Sequence, residues 1–184
     1  MLSKKQYEAL FVLFMAAILI SLPYLTSRPQ LAHHKLLVAA ETLKDGVFDK
    51  TVVLMLRHDS IGAMGLILNR SAEGFSAGGP VDANSYHTVH STDVKALKTM
   101  VMEDLPLAMT EGEAFAESIS SMNPKPKEYI VFKGYVGWGM GQLDREIARG
   151  SWKVVEFDRN LVFHTDPKVM WEQALRLPEV MPEK

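Results

Sequence analysis

TVVLMLRH (residues 51–58) and MGLILN (64–69) are two apolar runs joined only by DSIGA. Runs of this kind, rich in β-branched and aliphatic residues, read as strands. Five intervening residues cannot carry the crossover of a dozen or more that parallel neighbours require, so the pair must fold back as an antiparallel hairpin. The pattern recurs. KTMVMEDLPLAMT (98–110) folds across Glu103-Asp104, and KLLVAA, YHTVHS, EYIVFKGY and SWKVVEF read as further strands. RSAEGFSAGGPVDANS (70–85), rich in Gly, Ser and Ala, reads as loop. Helices are fewer. Thr110-Glu111-Gly112-Glu113 is a capping box that opens one, with Phe115, Ile119 and Met122 on its apolar face and Asn123-Pro124 at its end. Gln142 to Arg149 forms a second, with Gly150 as its C-cap. Asp166-Pro167 starts the last, turning Met170, Trp171 and Ala174 or Leu175 inward. Hairpins dominate and βαβ units do not recur, so the class is α+β.

Ahead of this pattern, residues 9–27 carry no charge. As a helix they would span about 28 Å, close to the roughly 30 Å hydrocarbon core of a bilayer. Lys4 and Lys5 precede the run as in a signal peptide, but no convincing small-residue cleavage site follows. Residues 1–30 are therefore expected to be a membrane anchor (or signal segment) and linker, a transmembrane-like helix ahead of one domain at 31–184. The expected location is the membrane, by a single-pass N-terminal anchor. The side on which the domain lies is open, because Lys4 and Lys5 are nearly balanced by Arg28 and Lys35. His33 and His34, next to the anchor, read as solvated.

Composition removes several functions. The net charge is -2, and no cluster of Lys or Arg offers the basic face with which proteins neutralise phosphates, so direct nucleic-acid binding is not expected. There is no cysteine, hence no disulfide, thiol nucleophile or cysteine zinc site.

GYVGWGMGQLDREIARG (134–150) holds five glycines. A dinucleotide fingerprint would need a third glycine where Gln142 or Asp144 stands, and the Gly-Lys-Ser/Thr end of a P-loop is absent. Asp144 and Glu146 would also repel a phosphate at the following helix. In extended backbone, Gly137, Gly139 and Gly141 share one face and Val136, Trp138 and Met140 the other. The bare face permits close approach of another backbone or of a ligand. Gly74-Phe75-Ser76-Ala77-Gly78 matches the G-x-S-x-G nucleophile elbow, but the strand ends near Asn69 and Gly79-Pro80 follow in place of a helix. His87 and His90, three apart on a strand, point to opposite faces and cannot share an ion, so no metal site is expected. No cofactor is expected either. Arg70, beside the glycine-rich loop, is placed either for a surface ion pair or to bind an anion.

LLVAAETLKDGVFDKTVVLMLRHD, GAMGLILNR, GGPV, GYVGWGMGQLDREIARGSW and LVFHTDPKVMWEQAL, in this order, resemble the YqgE/AlgH family over roughly residues 31 to 177. The resemblance implies a domain whose branched, mostly antiparallel sheet is flanked by helices. It implies no established reaction; the family is described as uncharacterised or as a transcriptional regulator. No helix-turn-helix is visible here. The chain departs from the family pattern in its N-terminal apolar extension, in Ser71 where proline is usual, and in the short Ser71–Gly78 segment where relatives carry a helix-forming one. Any pocket under that helix would be more open.

The expected function is a binding or regulatory module without enzymatic activity, tethered to the membrane through residues 9–27, whose further partner is a protein or small molecule. An alternative is a small-molecule-binding protein or enzyme using the glycine-rich region. It requires Asn69, Arg70, Gly79, His90, Trp138 and Gln142 to converge on one cleft, with Arg70 as anion partner and Trp138 as stacking wall. A second alternative is the transcriptional regulator of the family description.

Overall fold

The alternating burial of consecutive strand residues organises the domain around two apolar clusters, one on each face of a sheet. The computed structural model describes residues 30–72, 75–94 and 96–181. β1 (Leu36–Ala39) and β2 (Val52–Asp59) are buried on both faces. Leu36, Val38, Val52 and Leu54 point to one cluster, Leu37, Ala39, Val53 and Met55 to the other. β2 pairs antiparallel with β3 (Gly62–Ile67), from Val53↔Ile67 to Asp59↔Gly62, as the short connection demands.

The remaining strands are β4 (Ser71–Ala72), β5 (Phe75–Ala77), β6 (Val81–Ser91), β7 (Thr99–Met102), β8 (Leu107–Glu111), β9 (Tyr129–Trp138) and β10 (Trp152–Val155). The main path runs β10-β1-β2-β3-β9-β6-β8-β7. The sheet branches at β9. Its last residues pair with β3, and its earlier ones with β6 on one side and β5 on the other. Among the described residues only the β5–β9 pair is parallel. The branched, mostly antiparallel α+β sheet is therefore as expected. α1 (Glu113–Ser118) lies against β6 and β8. α2 (Gln142–Ala148) covers one cluster with Leu143; α3 (Arg159–His164) and α4 (Pro167–Leu175) cover the other with Leu161, Met170 and Trp171.

The two ends of the main path differ. Along β10, Val155 bridges Glu179, and the Val180 amide donates to the Val154 carbonyl at 2.8 Å, so the C-terminal segment covers the edge. β7 ends the other side with no further strand among the described residues.

Several expectations change. The stretch 70–85 is not simply loop: it holds β4, β5 and the start of β6. Thr110 caps no helix. It is a β8 residue whose hydroxyl meets His90 and Thr99, and α1 starts after Gly112 without a side-chain cap. α3, not expected from sequence, is capped by Asp158, whose carboxylate accepts the Leu161 amide at 2.8 Å. His33 and His34 are not solvated. His34 is 8% exposed, and His33 Nδ1 accepts the His58 amide at 3.2 Å. Gln30 and Ala32 donate to the His58 carbonyl and Nδ1, so residues 30–34 dock on β2.

The membrane location is corrected as well. No helix among the described residues is long and apolar enough to cross a membrane, so a single-pass anchor has no support. The apolar run 9–27 on which it rested, and the variant character it lent the chain, lie outside the described residues.

Candidate functional site

Where β6 crosses β9, the chain needs glycine. Gly79 and Gly134 face one another so closely that a Cβ on either would collide with the opposing backbone, and Gly134 has φ 66°. Beside this crossing β6 leaves its register between Val81 and Tyr86. The resulting bulge carries Asp82, at φ 45°, and Ser85. Pairing then resumes, with His87 opposite Glu111 of β8. A cleft of about 450 Å³ opens over this region, lined by Asp82, Ser85, His87, Glu111, Glu113, Tyr135 and Lys98 among others.

Ser85 and His87, two apart, share a strand face. Their side chains meet at 2.9 Å between Oγ and Nε2. The Ser85 hydroxyl has one proton, and it is directed at the Asp82 carbonyl, 2.8 Å away. The proton between Ser85 and His87 must then come from the histidine, making neutral His87 the Nε2–H tautomer. Its Nδ1 is a bare acceptor, shielded from solvent and without a partner among the described residues, on a side chain only 4% exposed. Burial lowers the His87 pKa, against the smaller opposing pull of Glu111 and Asp82, so the ring is neutral near pH 7. The Tyr135 ring stands edge-on to it at 5.7 Å.

The six residues expected to converge do not form one cleft. Trp138 and Gln142 meet through Glu146. One Glu146 oxygen accepts the indole N–H groups of Trp138 (2.9 Å) and Trp152 (2.8 Å), and the other accepts the Gln142 amide at 2.9 Å. Gln142 also receives the Gly139 amide. This clamp fixes the glycine-rich stretch as structure. Gly137 and Gly139 have only ordinary contacts where a Cβ would stand; Gly141 is needed for its φ of 61° ahead of α2. Close packing in this stretch falls instead on Gly134. Asn69 and Arg70 lie together at the far end of β3 from the Ala63↔Trp138 pair. Asn69 clamps the Val52 amide and the Lys50 carbonyl, and Arg70 donates to the carbonyls of Asp49 and Asn69. Gly79 serves the crossing. His90 is fully buried on the opposite face of β6 from His87, beside Phe115. Its Nδ1 donates to the Ser91 carbonyl and its Nε2 accepts the Thr110 hydroxyl, both at 2.9 Å.

Ser85 and His87, which meet in the β6 cleft, were not among the six expected residues. The Ser-x-His spacing was visible in the sequence and places both side chains on one strand face. A second cleft, about 650 Å³, lies between β5 and α1. None of its lining side chains is a buried polar group without a partner. Ser76 sits there on β5, with no helix following, so the elbow geometry is absent.

A family model described as AlgH-like (DUF179) matches residues 36–183. The chain belongs to the AlgH-like family. A UPF0301 protein of Methylococcus capsulatus is 32% identical over 161 residues, covering 76% of this chain and 87% of its own length. One of Myxococcus xanthus is 33% identical over 162 residues, covering 77% and 87%. The solution structure of the AlgH protein from Pseudomonas aeruginosa matches with a TM-score of 0.69 at 24% identity, over 81% of this chain and 89% of that one. That likeness establishes a shared fold, and the AlgH-like domain here carries the β6 cleft on it.

Proposed function

We propose that this AlgH-like domain is a non-enzymatic module that binds a small molecule in the β6 cleft. The observation that carries the reading is the bare Nδ1 of His87. A buried acceptor left without a donor costs about 1–3 kcal/mol, and a bound group that donates to it recovers that cost. The Ser85–His87 pair does not argue for hydrolysis. An activated serine gives its proton to histidine, whereas here the histidine donates and the serine proton points at a carbonyl.

The test is thermal unfolding of the full chain against a panel of metabolites, nucleotides and ions. A ligand at 100 times its Kd adds about 2.7 kcal/mol, which raises the midpoint by roughly 5–10 °C in a chain of this size. The shift is expected to vanish in His87→Phe. A shift that survives that substitution puts the site elsewhere. Turnover of a bound compound, abolished by Ser85→Ala, would overturn the non-enzymatic part.

A further inference from the structure

We infer that the β6 cleft takes a small organic amine, bound as its ammonium cation. The inference rests on the reading of the cleft as a ligand site and adds the chemistry of the ligand. Three carboxylates line the cleft, Asp82, Glu111 and Glu113, against one ammonium, Lys98. Among the described residues none of the three carboxylates is in an ion pair. Excess negative charge alone would mark only a solvated rim. Here it surrounds a side chain that is more than nine-tenths buried and ends in an unused acceptor.

Each ligand class meets this arrangement differently. An ammonium group is donor-only and positively charged, so it complements both His87 Nδ1 and the carboxylates. Tyr135 adds an aromatic wall, whose face attracts a cation. A phosphate or carboxylate finds no donor at His87 Nδ1 and is repelled by the rim. A neutral polyol can donate to Nδ1 but leaves the carboxylates unanswered. Beside the cleft, the Asp82–Ser85 bulge stands outside the β6–β9 ladder.

The experiment titrates the full chain with spermidine, inorganic phosphate and triethylene glycol. Calorimetry gives the affinity, and ¹⁵N resonances of the histidine rings report the tautomer. Spermidine is expected to bind and to shift the His87 Nδ1 resonance while the Nε2–H signal persists. Glu111→Gln combined with Glu113→Gln, an exposed pair of changes that leaves the core intact, is expected to weaken binding about tenfold. His87→Phe is expected to abolish the ring response and most of the affinity. If phosphate or the glycol binds with dependence on His87 and spermidine does not, the ligand class is wrong and the site stands. If spermidine binds equally well in both variants, it holds only to diffuse surface charge, and the inference falls. If neither these probes nor the wider panel respond to His87→Phe, the cleft is not a ligand site and both readings fall.

Discussion

At the last turn of β9 into α2, the Glu146 carboxylate accepts three hydrogen bonds, two of them from indoles that are 6% and 2% exposed. On the neighbouring strand β6, His87 is equally buried and keeps a ring nitrogen with nothing to hold. His90, three residues further, spends both of its nitrogens. Glu146 and His90, which tie elements of the fold together, are saturated. His87, which lines the cleft, is not, and the two histidines even adopt opposite tautomers: Nδ1–H for His90, Nε2–H for His87. Saturation removes any reason for a buried group to attract a further molecule, whereas a bare acceptor keeps one.

The largest effect that would sharpen this contrast is expected from Glu146→Ala. It strips two buried indole donors of their acceptor, and stability should fall by about 3 kcal/mol in urea unfolding followed by tryptophan fluorescence. A loss within 0.5 kcal/mol, taken as roughly the scatter of neutral surface changes, would mean the clamp is not a structural anchor. His90→Phe comes next, at about 1–2 kcal/mol, because the Ser91 carbonyl and Thr110 lose their partner.

A graded effect of pH follows. Burial lowers the pKa of His33, His34, His58 and His87 in the folded chain. The unfolded chain therefore takes up protons first. Stability should be level above the ordinary histidine value of about 6.5 and should decline as pH falls through it toward the depressed folded values. His33 and His58 accept backbone amides at Nδ1, so their protonation also releases residues 30–34 from β2. Urea midpoints between about pH 8 and 5 measure this; midpoints that rose on acidification would contradict it. The smallest effect belongs to His87→Phe, which removes an orphaned acceptor along with its bond to Ser85. Its stability should change by less than about 1 kcal/mol, so that it differs from His90→Phe in ligand response more than in folding. Equal losses at the two positions would erase the contrast.

The hairpin Val52–Ile67 was legible because period and turn length are local properties. So were α2 and α4, with Gly150 at φ 73° and Asp166 as cap. What failed depended on distant partners. Thr110 looked like a cap until β6 and β7 claimed its hydroxyl. β5 looked like loop because its support is a parallel neighbour more than fifty residues away, Ser76↔Phe132. Glu146 read as a charge suited to a helix start, since nothing local says that two indoles from β9 and β10 meet it. His87 and His90 differ in the partners they meet, Ser85 within the bulge of the same strand for one and Thr110 of β8 for the other. A composition and a spacing do not carry that information.

The sealed β10 edge limits how copies of this protein can assemble. At the other end of the main path β7 is left open to strand addition, and its Val101 is 55% exposed. Two copies joined there would present the covered β10 edge at each end of the combined main path. Residues 179 and 180 thus cap that end of the path: removing them would leave the backbone groups of β10 open to a new strand.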